Sequence, residues 1–96
     1  TALMYAVING NYDAVKFLLS NEAKIDDEDK SEWSPLLWAI KRKRVDIAKV
    51  LIEAGADLDH EDDEGTHIIH YAVFSGSYES VKLLIDSKVN LKAKDQ

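Results

Sequence analysis

The sequence contains no cysteine, a single proline and four glycines among its 96 residues. Without cysteine the chain can form neither a disulfide nor a thiolate metal site, and nothing in it requires an oxidising compartment. No apolar run approaches the roughly 20 residues that span a bilayer, and no signal peptide opens the chain. We therefore expect no membrane association and a cytoplasmic location, with the nucleus as the alternative.

Acidic residues outnumber basic ones, because the sequence has 18 Asp and Glu but only 12 Lys and Arg, which gives a net charge of −6. Nucleic-acid binding draws much of its affinity from phosphate neutralisation, so this balance disfavours a nucleic-acid partner. The sequence also has no glycine-rich phosphate loop, no cysteine nucleophile and no serine placed with histidine and carboxylate in a known motif. We predict that the chain is not an enzyme and uses no cofactor or small-molecule substrate.

The positive feature of the sequence is an internal repeat. A shift of 33 residues aligns the chain with itself without a gap, so that residues 1–6, 34–39 and 67–72 coincide. The positions that repeat include Leu3, Leu36 and Ile69; Ala6, Ala39 and Ala72; Val7, Ile40 and Val73; and the acidic Asp29, Asp62 and Asp95. The chain is therefore predicted to be one domain, 1–96, built from units at approximately 1–33, 34–66 and 67–96.

Each unit carries the pattern of two short helices. Leu36, Ala39 and Ile40 are spaced i, i+3, i+4, as expected for one apolar helix face, and a second such set follows in the same unit. Ser34 and Pro35 are a favourable helix start, a capping hydroxyl followed by proline at the first helical position. Helices of about eight or nine residues do not persist alone in water, so they must stack on neighbouring units, which indicates a solenoid.

The period, the run Ser34-Pro35-Leu36 with Ala39, and the segment 51–57 (Leu-Ile-Glu-Ala-Gly-Ala-Asp) resemble the ankyrin repeat family. The resemblance covers the whole chain. It implies an all-α solenoid of antiparallel helix pairs joined by β-hairpin loops. Those loops would span about Ala23–Trp33 and Ala56–Thr66 and would contain both acidic runs of the sequence.

The sequence departs from the family pattern at two turns. Lys43 stands where the other units have Gly10 and Gly76, so either a lysine adopts a left-handed conformation at a cost of roughly 1 kcal/mol or the turn is built differently. Lys88 replaces the glycine that follows the second helix of the middle unit, Gly55. The end units lack the polar outer face of terminal repeats, so we expect a fragment of a longer array that stops inside the next hairpin.

Two patterns could suggest metal binding. His67 and His70 are three residues apart, but zinc needs further ligands, and the resemblance implies that His70 forms a local hydrogen bond. The acidic run 57–64 is similar to a calcium loop, yet it lacks the required glycine and the closing glutamate. We predict a solvated loop and no metal site.

Aromatic and basic residues give further candidates. Tyr5, Trp38 and Tyr71 share one register, which favours packing between repeats over a ligand site. Trp33 lies in a loop, at a position that the resemblance implies is exposed, and is the best anchor for a partner; packing on the neighbouring hairpin is the alternative. The run 41–44 (Lys-Arg-Lys-Arg) is predicted to be a solvated turn, with a nuclear localisation signal, an acid-binding patch or part of a protein-binding face as alternatives.

The resemblance implies a protein–protein interaction module that binds another protein through a concave face of loops and first helices. The positions that would contribute are Ile8, Asn9, Lys30, Ser31, Trp33, Lys41, Arg42, Asp63, Glu64, Thr66, Phe74 and Ser75. Acidic loops above a basic middle helix favour a partner with basic residues near the loops. The alternative is a structural spacer or scaffold segment within a larger protein. A contiguous exposed apolar patch around Trp33, Phe74 and Ile8 would favour recognition, whereas buried aromatics would favour the spacer.

Overall fold

The computed structural model describes residues 1–21, 23–29, 33–58, 61 and 64–94, with side chains described up to residue 87. The described residues form helices in three successive pairs: α1 (Ala2–Ile8) and α2 (Tyr12–Ser20), α3 (Pro35–Lys41) and α4 (Val45–Glu53), α5 (Ile68–Ser75) and α6 (Tyr78–Lys94). The first helices α1, α3 and α5 pack in one row, and the second helices α2, α4 and α6 pack in another. The predicted all-α solenoid is confirmed. Within these ranges no helix is both long enough and apolar enough to cross a bilayer.

The helix starts use side-chain caps. Thr1 Oγ1 accepts the Met4 N–H at 3.1 Å, and Ser34 Oγ accepts the Leu37 N–H at 3.2 Å, with Pro35 in the first turn. In the third unit His70 Nδ1 accepts the backbone N–H of His67 at 3.3 Å. The predicted start at Ser34 and the predicted local hydrogen bond of His70 are thus confirmed. Each cap satisfies a backbone donor that the first helical turn leaves without an intrahelical partner.

The turns between paired helices share one left-handed residue. Gly10 and Gly76 both have φ +70°, and Lys43 at the equivalent position has φ +57°. The lysine therefore accepts the strained conformation, and the turn is not rebuilt around it. A Cβ at Gly10 would lie 2.6 Å from the Arg44 guanidinium carbon, so the end of that flexible side chain would have to shift.

The core is centred on the middle unit. Fully buried side chains include Leu36, Ile40, Ile47 and Leu51, because α3 packs between α1 and α5 while α4 packs between α2 and α6. The alanines at equivalent positions of the first helices are buried in all three units. Val73, the equivalent of Ile40, is 62% exposed, since α5 packs against α3 on one side only. Val7, at the same position of α1, is fully buried although α1 also packs against one first helix, so a repeated apolar position is buried when a neighbouring helix lies on the side that it faces.

The loops return to the next unit through few backbone pairings. Asp29 N–H donates to the Trp33 carbonyl at 3.0 Å, and Glu61 forms an isolated antiparallel bridge with His67. The described ranges contain no strand longer than such a bridge. Side-chain hydrogen bonds, described below, therefore help to hold these loops in addition to the backbone pairings.

The last helix is longer than the sequence pattern predicts. Helix α6 runs for 17 residues through Lys94, whereas we expected about eight or nine residues and then a hairpin. Gly55 in the middle unit follows α4 with φ +100°, but Lys88 at the equivalent position lies within α6. Without glycine the left-handed stop costs more than another helical turn, so the helix continues. The prediction of a hairpin after the third pair is wrong for the residues up to 94.

Candidate protein-binding face

Three aromatic side chains, Trp33, Trp38 and Tyr71, form a cluster on the side of the first helices, which we call the aromatic cluster. The Trp33 ring centroid lies 4.6 Å from that of Trp38 and 5.1 Å from that of Tyr71, with tilted and edge-to-face orientations. These distances lie within the range of favourable aromatic pairs. Trp33 is partly buried by these contacts. The expectation of an exposed Trp33 is therefore wrong, and its contacts are with helices α3 and α5.

The carboxylate of Asp29 fixes both tryptophans. Its Oδ1 accepts the Trp33 backbone N–H at 3.0 Å, and its Oδ2 accepts the Trp38 indole Nε1–H at 2.9 Å. Hydrogen bonds to an ionised carboxylate are roughly twice as strong as neutral ones. Asp29 ends the acidic run 26–29, and its two hydrogen bonds join the loop to α3. The sequence feature that could have indicated this role is the repeat itself, because Asp29 occupies the same repeat position as Asp62 and Asp95.

Two cations of the middle turn lie over these rings. Lys41 Nζ is 5.5 Å from the centroid of Trp33 and 5.8 Å from that of Tyr71, and the Arg42 guanidinium carbon is 5.7 Å from that of Trp38. All three distances are within reach of cation–π attraction. The turn at 41–44 is thus more than a solvated loop, because two of its side chains lie against the aromatic cluster.

The predicted packing role of the aromatic register holds for two of its three members. Trp38 and Tyr71 are partly buried against the core, but Tyr5 is 70% exposed. Helix α1 contacts α3 and has no first helix packed on its other side in the described chain, so Tyr5 lacks the neighbour that covers its equivalents. Tyr5 instead borders a small groove with Thr1, Met4, Ile8 and Asp29.

A second groove lies between the ends of α3 and α5, and we call it the Phe74 groove. It has a volume of about 380 Å³ and is lined by Lys41, Lys43, Tyr71, Phe74 and Ser75. Phe74 is 84% exposed. Ser75 is held in place by a hydrogen bond from its hydroxyl to the Ala72 carbonyl at 2.9 Å. The groove therefore combines two ammonium groups with an exposed phenyl ring.

The predicted binding residues separate into distinct places. Lys41, Phe74 and Ser75 meet in the Phe74 groove, and Arg42 lies beside it over Trp38. Ile8 belongs to the groove of Tyr5, and Asn9 is the exposed C-cap of α1. Glu64 is exposed and Thr66 is partly buried in the loop before α5; Lys30, Ser31 and Asp63 lie outside the described residues. Sequence reasoning missed Lys43 as a lining residue, although its replacement of glycine was the available signal.

The two histidines are engaged locally. His67 Nε2 lies 3.3 Å from Glu61 Oε2, and His70 accepts a backbone N–H as described above. Among the residues that the structure describes, no group of three or more His, Cys, Asp or Glu is placed to hold a metal ion. Part of the acidic run 57–64 falls outside those residues.

Stacked helix pairs with a shared core and side chains presented from the first helices define a repeat protein of the solenoid class. The family model for ankyrin repeats matches residues 3–95 with three copies. The chain belongs to the ankyrin repeat family. Members of this family are generally protein–protein interaction modules and are generally not enzymes. A comparison with curated proteins gave no match.

Proposed function

We propose that this chain recognises a partner protein through the face made by its first helices and loops, with the Phe74 groove at the centre of the contact. The observation that carries the proposal is the exposure of Phe74, which is 84% accessible beside Tyr71 and Lys41. Burying a phenylalanine side chain is favourable by roughly 1.5–3 kcal/mol, which a partner surface would gain. Aromatic residues, Phe among them, are also enriched in protein–protein interfaces.

The rigidity beneath the groove supports the same proposal. Tyr71 is shared between the groove and the aromatic cluster, and the cluster is fixed by the two hydrogen bonds of Asp29. A preorganised surface loses less side-chain entropy when a partner binds. The loops before α3 and α5 expose Glu28 and the pair Glu61 and Glu64, which favours basic residues of the partner at the loops.

The structural spacer or scaffold remains the second candidate, and one observation favours it. Trp33 and Trp38 are partly buried, and Ile8 lies in a different groove, so the expected patch of Trp33, Phe74 and Ile8 is not contiguous. Among the described residues, the exposed aromatics are Phe74 and Tyr5 on the first helices and Phe17, Tyr12 and Tyr78 on the second helices. A cytoplasmic location, with the nucleus as the alternative, belongs to the proposal and is supported by the absence of cysteine.

A matched pair of variants tests recognition. A random peptide library displayed on phage is selected on the immobilised chain, and the enriched peptides are measured against Phe74→Ala and Phe17→Ala. Phe17 is 67% exposed on α2, so the second variant removes the same side chain from the opposite row of helices. We expect enriched peptides to lose binding to Phe74→Ala and to retain binding to Phe17→Ala. Equal binding to both variants would contradict the proposed face, and no enrichment would favour the spacer.

A further inference from the structure

The turn between α3 and α4 keeps a lysine where the fold prefers glycine. Among the residues that the structure describes, Lys43 alone is not glycine yet has a positive φ, +57°. The equivalent turns use Gly10 and Gly76 at φ +70°. Lys43 is exposed, so its side chain contributes no core packing that would offset the backbone strain. A strained residue without a structural role suggests that its side chain acts on something outside the chain.

The Lys43 side chain lines the Phe74 groove together with Lys41. In the described part of the chain, Lys41, Arg42 and Lys43 form no ion pair with a carboxylate, although the protein carries a net charge of −6. Lys41 and Arg42 lie over aromatic rings, which do not neutralise their charge, so the groove keeps its positive charge for a ligand. The apolar part of the same groove is formed by the exposed ring of Phe74 and by Tyr71.

We propose that the Phe74 groove binds an acidic segment of a partner protein, in which carboxylates pair with Lys41 and Lys43 while an apolar side chain covers Phe74. The inference rests on the proposed function and adds the chemistry of the partner at this groove. Charge complementarity selects the occupant, because two ammonium groups flank one apolar contact. A nucleic acid fits less well, since its extended run of phosphates would lie along a protein of net charge −6, whereas a short acidic segment meets only the groove.

The first test is a titration of the ¹⁵N-labelled chain followed by amide chemical shifts. The probe is a synthetic peptide with a Phe-Leu pair flanked on each side by three Asp and Glu residues, and the control has Lys at each acidic position. We expect saturable shifts at Lys41, Lys43, Tyr71, Phe74 and Ser75 with the acidic peptide, which weaken as salt is added. The basic peptide should leave these amides unchanged.

The second test uses Lys43→Gly, which removes the charge and the strain together. We expect this variant to bind the acidic peptide about fivefold more weakly, a loss of the size that one partly screened charge pair gives, while its unfolding midpoint rises. Lys49→Gln on α4 is the control, because it removes an exposed positive charge away from the groove. That variant should bind the acidic peptide as the wild type does.

The inference is overturned if the acidic peptide gives no saturable shifts up to about 1 mM, if the basic peptide shifts the same amides, or if Lys43→Gly and Lys49→Gln bind equally. A single-stranded DNA that shifts the groove amides more strongly than the acidic peptide would also overturn it. These failures are distinct from failure of the proposed function. Phage-selected peptides that are basic, yet lose binding to Phe74→Ala, would uphold the face and reject the acidic ligand.

Discussion

The middle and third units align position by position in the sequence, but their equivalent positions are buried to different extents. In the middle unit Ile40 and Ile47 are almost completely buried, whereas in the third unit the equivalent positions hold Val73, which is 62% exposed, and Ser80, a buried hydroxyl. The middle unit is flanked by helices on both sides, and the third unit is flanked on one. The comparison shows that the middle unit holds the fold together, and that the third unit presents Phe74 from a less strongly packed helix.

The largest expected effect is loss of core packing in the middle unit. We predict that Ile40→Ala lowers the free energy of unfolding by about 3–4 kcal/mol, because it removes buried methyl and methylene groups and leaves a cavity. At the equivalent position Val73→Ala should change it by less than about 0.5 kcal/mol, since Val73 is mostly exposed. Urea unfolding of both variants measures the difference. Similar losses would show that the third unit is as tightly packed as the middle one.

The next effect concerns the carboxylate that joins the loop to the middle unit. Asp29→Ala removes the acceptor of the Trp33 N–H and of the Trp38 indole N–H, and should lower the free energy of unfolding by about 2 kcal/mol. Tryptophan fluorescence should change as well, because both rings lose a fixed position. Asp86→Ala, at an exposed position of α6, is the charge-matched control. An unchanged midpoint for Asp29→Ala would show that the aromatic cluster holds without its carboxylate.

A smaller effect of opposite sign is expected at the buried serine of the third unit. Ser80 Oγ is fully buried and has no hydrogen-bond partner among the described residues, so Ser80→Ala should raise the free energy of unfolding by about 1 kcal/mol. Ser77→Ala should lower it by about 0.5–1 kcal/mol, because Ser77 Oγ accepts the Ser80 N–H at 3.3 Å. Thermal unfolding of the two variants compares them. A loss of stability in Ser80→Ala would mean that its hydroxyl is satisfied in solution.

The smallest expected effect is relief of strain in the middle turn. Lys43→Gly should raise the free energy of unfolding by about 0.5–1 kcal/mol, because left-handed strain of about 1–2 kcal/mol is removed while glycine costs about 0.5–1 kcal/mol in chain entropy. Gly76→Lys, which introduces the same residue at the equivalent turn of the third unit, should lower it by a similar amount. Chemical denaturation of both variants tests the pair. If Lys43→Gly were destabilising, the lysine would serve the fold rather than a ligand.

The repeat and the helix starts were predictable from the sequence, because they depend on local chemistry. Ser34 and Pro35 cap and begin α3 through contacts within four residues, and the buried alanines follow the helical period. The left-handed turn at Lys43 was one of two alternatives, and only the backbone angle distinguished them. Patterns that recur in each unit therefore identify the elements and their order.

The departures depend on neighbours that a linear pattern does not show. Tyr5 shares the register of Trp38 and Tyr71 but is exposed because α1 has a first helix on one side only. Trp33 was expected to be exposed, yet two rings from other elements cover part of it. Asp29 is one member of a charged run in the sequence, yet its carboxylate accepts hydrogen bonds from both Trp33 and Trp38. The grooves likewise arise from spacing between helices, which is why Lys43 was not among the predicted site residues.

The central claim is that recognition occurs on the first-helix face at Phe74, and one ratio tests it most directly. This is the dissociation constant of a phage-selected peptide for Phe74→Ala divided by that for Phe17→Ala, measured by fluorescence anisotropy after both variants are shown to have wild-type helical circular dichroism. The account predicts a ratio of about ten or more, the loss expected from truncating a hot-spot aromatic residue. A ratio near one, or a greater loss for Phe17→Ala, would contradict it.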